Sequence, residues 1–343
     1  MLWSKAFIAI WAELLFGFAC GRVLIPYFRK LKTGKLELYI GDRFKKDGSE
    51  PLFGGVVIAL TLVFGAMIGM LSVRADADIG DSGLAKYAAV IVMSLLLMLV
   101  GVAEDHLRDL RKSNVGLKTV TKLVLEFVIC LGFLVFLRAC GADDTAVFLP
   151  FRLGYMDFRL FYYPLTALGM TAVINAVKVH DCFGGDVQSG IDGLCPLSAV
   201  IYSLFFAVYG NVIGDSYLNM LGYVTAAACM AYLIWGISPS KMYCGQSGAY
   251  LLGGLVSCMA VVSKLHLAVF MAGLSFLVDG VCCLVQYVVF RKSKRLLLKG
   301  NSLHAHFKAK GYSDYKIMMI FSCISVVGGA AGIAFAVYST KIM

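Results

Sequence analysis

Charge is what this 343-residue chain has least of: charged residues make up 15% of it, against a hydrophobic fraction of 60% and a mean hydropathy of +0.81. That excludes a soluble domain of ordinary composition, because one apolar run of about 20 residues already spans a bilayer. The first apolar run, 6–28, lacks a small-residue cleavage site and holds Glu13 and Arg22, so it reads as a retained span and not a signal peptide. No C-x-x-C pair occurs among the 11 cysteines, most of which lie inside apolar runs, so neither a disulfide framework nor a zinc ribbon is expected. They read as small hydrophobes, with Cys140 placed in an outer loop. Histidine is scarce at five residues, and no H-x-x-x-H spacing is present. No long linker, composition shift or internal repeat divides the chain, so a single domain over 1–343 is expected.

What is present is a series of about ten apolar spans, near 6–28, 52–74, 87–104, 119–137, 161–177, 194–209, 218–237, 248–263, 266–290 and 317–338. They are expected to be helical, since lipid offers the backbone of an unclosed chain no other partner. The net charge of +10 would suggest nucleic acid in a soluble protein. Here most lysines and arginines fall in the loops after odd-numbered spans, which makes those loops cytoplasmic, puts both termini outside and removes nucleic acid as a partner. The expected fold is therefore an all-α polytopic protein of the plasma membrane, with its chemistry on the cytoplasmic side. The outer loop 138–160 is aromatic, is divided by Gly154 and is expected to form a short hairpin on the membrane surface. Glu13, Glu126 and Asp279 fall within spans, where pairing with other helices is the expected role.

The candidate chemistry lies in the inner loops. In GVAEDHLRDLRKSNVGLKTVTK, Gly101 to Lys122, adjacent acids Glu104 and Asp105 stand where the third span leaves the membrane, followed by bases. If the helix continues, Glu104 and Arg108 share a face and either pair or meet one charged ligand; a solvated helix end is the plainer reading. Gly54 and Gly55 open the second span, where glycines admit a ligand or another backbone. The third inner loop, NAVKVHDCFGGDVQSGIDGL, carries Asp181, Asp186 and Asp192 among glycines, either as oxygen ligands for a hard cation or as a solvated turn. In the fourth, Gly245 and Gly248 flank Gln246 at a helix start able to receive an anion. The fifth is basic and contains His304 and His306, which a strand would place on one face and a helix would not. Four histidines, His106, His180, His304 and His306, fall in these loops, which admits a transition-metal hydrolase as a second reading.

The order of these segments resembles the polyprenyl-phosphate N-acetylhexosamine-1-phosphate transferase superfamily, and the nearest branch looks like the phospho-N-acetylmuramoyl-pentapeptide transferases. GVAEDHLRDLRKSNVGL, GQSGAYLLGGLVSCMAVVSK, and LVDGVCCLVQ followed by LHAHFKAKGY carry the likeness best, with DGSEPLFGG and NAVKVHD matching more loosely. The resemblance implies ten membrane helices, a cytoplasmic cleft and magnesium. It also implies transfer of a phospho-sugar from a UDP-N-acetylsugar to a polyprenyl phosphate with release of UMP. A homodimer is among the expected states. Carried over by motif, Asp105, Asp181 and Glu104 are the expected catalytic carboxylates, and Asp105, Asp181 and Gln246 the expected metal ligands. Arg108, Asn175, Lys178, His304, His306, Gly54 and Gly55 are the expected substrate contacts. Five positions depart from the pattern: Glu104 for Asp, Arg108 for Lys, Lys178 for Asn, Gln246 for a ligating Asp, and Ala305, which interrupts the histidine run. The loop after Asp181 is longer than the pattern, and a second alignment sets Ser189 at the Asp181 position. These departures admit an alternative, a catalytically degenerate homologue that binds lipid phosphate or nucleotide sugar as a regulatory or scaffold protein.

Overall fold

A computed structural model describes residues 2–30, 51–74, 81–111, 116–142, 145–149, 154–181 and 190–342. In chain order its helices are α1 Leu2–Lys30, α2 Gly54–Arg74, α3 Asp81–Arg111, α4 Thr119–Ala139, α5 Tyr162–His180 and α6 Leu194–Ile213. There follow α7 Ser216–Gly236, α8 Gly245–Val262, α9 His266–Ala272, α10 Leu274–Ser293, α11 Leu303–Ala309 and α12 Asp314–Ile342. Ten of these are long and apolar enough to cross a membrane, in agreement with the hydropathy reading.

The centre of the bundle is α8, 89% of whose apolar window is buried, against 22% for α10. Its sequence explains the position. A Cβ at Gly253 would meet the α5 backbone at Ile174, 3.1 Å away, and one at Gly254 would meet Ser94 of α3 at 2.9 Å. Small residues at both crossings let two neighbours close on α8, the usual route to tight packing where lipid supplies no hydrophobic drive.

Of the boundaries that differ from the hydropathy reading, two change how elements pack. The ninth span divides at Gly273 into α9 and α10. The short α9 packs on α12, where Gly328 and Gly332 receive the carbonyls of Met271 and Ala268. The other difference is α3, which stays helical eight residues beyond Ala103, through Arg111. The aromatic loop does form a hairpin: β1 Ala146–Leu149 pairs antiparallel with β2 Gly154–Asp157, Ala146 opposite Asp157 and Leu149 opposite Gly154.

Candidate functional site

Because α3 continues, Glu104 and Arg108 lie one turn apart, and Arg108 Nη2 donates to Glu104 Oε1 at 2.7 Å. Lys122, in the first turn of α4, donates to the same oxygen. Glu104 is fully buried, and two cations around one carboxylate is the compensation such an acid requires.

Asp105 serves a different helix. The first N–H groups of any helix lack intrahelical acceptors, and Cys244 at the α8 N-cap offers no side-chain bond. Asp105 accepts instead from the N–H groups of Gln246 at 3.2 Å and Ser247 at 3.0 Å, placing its charge at the positive end of α8. Gly101, one turn back on α3, makes this possible: a Cβ there would stand 2.5 Å from the Gln246 carbonyl oxygen. Gly54 and Gly55 act on the same turn. Their N–H groups donate to Tyr243 O at 2.9 Å and Cys244 O at 3.0 Å, and a Cβ on Gly55 would lie 2.2 Å from Gly248 N. The two glycines thus bring α2 against the start of α8, backbone to backbone.

Asp181 follows the last residue of α5. Burial pushes its carboxyl well above the usual carboxylate range, the charges of Asp105 and Asp192 push it the same way, and His304 opposes them. Its Oδ2 is buried without a hydrogen-bond partner among the described residues. Asp192 accepts from Ser240 Oγ at 2.7 Å. Gln246 is buried in the first turn of α8, and its own N–H is one of those that Asp105 accepts. Asp105, Asp181, Asp192 and Gln246 are therefore brought together from the ends of α3, α5, α6 and α8. Asp186 and Ser189 lie outside the described residues.

Lys178 is committed to another acid. It donates to Glu126 Oε1 at 2.7 Å, to Tyr250 Oη at 2.9 Å and to Asn175 Oδ1 at 3.2 Å, and lies 4.1 Å from the Tyr250 ring centre. Asn175 Nδ2 also donates to Glu126. Two of the expected substrate contacts thus join α4, α5 and α8 around a buried carboxylate, and the pairing expected of Glu126 is present. Glu13 lacks one: both its oxygens are buried with no partner among the described residues.

The helix α11 separates its two histidines. His304 is fully buried, whereas His306 is partly exposed and accepts the Lys299 N–H through Nδ1 at 3.0 Å. His304 Nδ1 and His180 Nδ1 both lie 2.6 Å from Asp279 Oδ2, while His106 is exposed and takes no part. The trio escaped the sequence reading because its members are 99 and 25 residues apart. The available signal was Asp279 itself, an acid within an apolar span, which implies a partner.

Between α5 and α10 runs an apolar groove of about 860 Å³, lined by Leu165, Val173, Val179, Phe270, Leu277 and Leu284 and reaching Asn175. Buried carboxylates beside an apolar groove suit a hard cation that could in turn meet the phosphate of a ligand carrying a hydrocarbon chain.

The sequence model of glycosyl transferase family 4 matches residues 87–264. Among similar proteins, the phospho-N-acetylmuramoyl-pentapeptide-transferase of Carboxydothermus hydrogenoformans is 26% identical over 337 residues, covering 95% of this chain and 97% of that one. The protein of the same name from Clostridium perfringens strain 13 is 27% identical over 329 residues, with 95% and 97% covered. That from Clostridium botulinum strain Eklund 17B is 27% identical over 325 residues, with 92% and 93% covered.

Proposed function

The chain belongs to glycosyl transferase family 4, and from that premise we propose that it transfers a phospho-N-acetylsugar from a UDP-sugar to a polyprenyl phosphate, such as undecaprenyl phosphate, and releases UMP. The relatives named above favour a cell-envelope glycan or peptidoglycan precursor as the product. The observation that carries the reading is the unpartnered Oδ2 of Asp181, buried beside the charges of Asp105 and Asp192. Such a site holds more negative charge than it compensates, and its donors are hard oxygens, so the residues present fit magnesium.

Asp105, Asp181 and the amide oxygen of Gln246 would hold the ion, which when bound would offset charge on the donor pyrophosphate. An oxygen of the lipid phosphate attacks the sugar-linked phosphorus, and the bond from that phosphorus to the bridging oxygen breaks. UMP leaves with the electron pair. Little covalent chemistry falls to the protein, whose task is to align the two phosphates and neutralise charge. Glu104 already holds Arg108 and Lys122, and Asp105 the N-terminus of α8, so these groups fix the carboxylates in place, and the groove between α5 and α10 has room for the prenyl chain. Segregation of the basic loops supports a cleft that faces the cytoplasm, where nucleotide sugars occur.

One observation favours a second reading, a homologue that binds without turnover. Gln246 supplies no charge, and the nearby Lys178 is neutralised by Glu126 instead of serving an incoming phosphate. The test is UMP release by purified protein in lipid, given undecaprenyl phosphate, magnesium and a panel of UDP-N-acetylsugars. Release that chelator abolishes and Asp181→Asn lowers by at least 100-fold is expected (on the order of one general electrostatic contact in a transition state). Saturable UDP-sugar binding with no UMP would replace the transferase by the binding protein.

A further inference from the structure

Asp279 receives two imidazoles on one oxygen, an arrangement to which the transfer chemistry proposed above gives no step. His180 Nδ1 and His304 Nδ1 each lie 2.6 Å from Asp279 Oδ2, and one donor atom from each of the three residues falls within 4.8 Å of the other two. We infer that His180, Asp279 and His304 form a binding site for one divalent first-row transition ion, with zinc as the reference case, separate from the carboxylate site at Asp181.

The atoms behind the converging donors are already engaged. Asp279 Oδ1 accepts the N–H groups of Leu303 at 3.0 Å and His304 at 3.2 Å, which fixes the carboxylate plane. His180 Nε2 lies 3.0 Å from Ser198 Oγ. A histidine that binds a metal through one nitrogen presents the other as an N–H to an acceptor, and for His180 a serine hydroxyl stands there. Without an ion, the His180 Nδ1 proton is held by Asp279 and Ser198 can donate to Nε2. With an ion on Nδ1, the proton moves to Nε2 and Ser198 accepts it, so the hydroxyl serves both states. The Ser302 hydroxyl lies beside the His304 ring, 3.1 Å from Nδ1 and 3.2 Å from Nε2.

The chemistry of the set selects the ion. Two imidazole nitrogens and one carboxylate oxygen suit zinc, iron, cobalt or nickel, whereas magnesium favours oxygen and retained water. Three protein donors leave a fourth position for water or a substrate oxygen. Ligands of a tetrahedral zinc at its usual bond lengths stand about 3.3 Å apart, so the imidazoles would each retreat from Asp279 by under about 1 Å on loading. The surroundings are dry: the His180 ring packs on Phe276 and Phe321 with centroids 5.1 and 5.2 Å away, and all three ligands are buried. An apolar shell of this kind shields an ion from competing water. The ligands come from α5, α10 and α11, so an ion would tie these elements together one residue from Asp181.

The experiment uses full-length protein purified in detergent with a tag free of histidine and without chelator. Elemental analysis is expected to find about one transition ion per chain, removable by phenanthroline. Titrating the stripped protein with Co²⁺ should give the visible d–d bands of a low-coordinate site at one equivalent. His180→Gln should lower Co²⁺ affinity at least 10-fold, in keeping with loss of a ligand, and although it melts below wild type because Asp279 loses a buried partner, the folded variant should gain less in melting temperature from added Co²⁺ than wild type does. Asp181→Asn should leave the bands in place, which separates this site from the proposed magnesium site. Folded wild-type protein that carries no stoichiometric ion and gives no Co²⁺ bands would overturn the inference. So would bands that survive His180→Gln or disappear in Asp181→Asn, whatever the transferase assay shows.

Discussion

At the scale of single residues, Asp181 sets function against stability. Its folded carboxyl titrates well above the ordinary value because burial and two neighbouring acids disfavour the charge. Between that ordinary value, about 4, and the raised folded value, the folded protein binds more protons than the unfolded chain, so this group's contribution to stability falls as pH rises. Asp181→Asn removes the charge. The variant is therefore expected to melt above wild type in chelator at pH 8, with the gap closing as pH approaches 4, where both forms are uncharged. A gap that is constant with pH would show that Asp181 is not the titrating group. Lys178 and Glu126 give the converse case, a buried pair that satisfies itself. Glu126→Gln leaves the ammonium uncompensated and is expected to destabilise by roughly 3 kcal/mol. Adding Lys178→Asn should recover most of that in thermal melts, and failure to recover would mean that Glu126 is held by something other than this pair. The sequence alone named Glu104, Asp105, Asp181 and Gln246 as one group through their motifs. It could not show which cation answers which acid. Lys178 reads as a loop charge until α4, 52 residues earlier, is seen to carry its partner.

At the scale of elements, the site depends on how closely α3 and α2 approach the first turn of α8. A Cβ at Gly101 would meet Gln246 O at 2.5 Å and Ser247 Cα at 2.7 Å, backbone atoms that cannot rotate away. Gly101→Ala should force the helices apart, lengthen the bonds from Gln246 and Ser247 to Asp105, and cost about 1–3 kcal/mol with a matching loss of activity. Gly132→Ala in α4 is the control, since nothing lies within 4 Å of the added carbon and alanine is the better helix former. Equal melting temperatures for the two variants would remove the packing argument. The spans themselves were legible, because a run of apolar residues long enough to cross a bilayer declares itself without reference to the rest of the chain. The break at Gly273 was not. Both halves of that run are apolar, and the division is made by α9 packing against glycines of α12, more than 50 residues later. The capping of α8 was hidden for the same reason, with donor and acceptor 141 and 142 residues apart.

At the scale of the whole molecule, the direction in which the cleft faces decides whether the proposed donor can reach it. The site gathers at the start of α4, where Lys122 meets Glu104, while Cys140 is exposed just past the other end of that helix. With 21 residues at about 1.5 Å each, α4 separates the two by about 30 Å, the thickness of the hydrocarbon layer. If the basic loops are cytoplasmic, Cys140 must be on the outer surface. A thiol reagent that cannot cross membranes, applied to intact cells before purification, is expected to label the protein, and Cys140→Ser should remove that label. The described cysteines other than Cys140 and Cys244 lie within candidate membrane spans, and Cys244 is buried at the N-cap of α8, so among the described cysteines the control reads Cys140. Labelling of Cys140 only after permeabilisation would turn the molecule over. The carboxylates of Asp105 and Asp181 would then face a compartment without nucleotide sugars, and the transferase reading would fail on access alone, however well its residues fit.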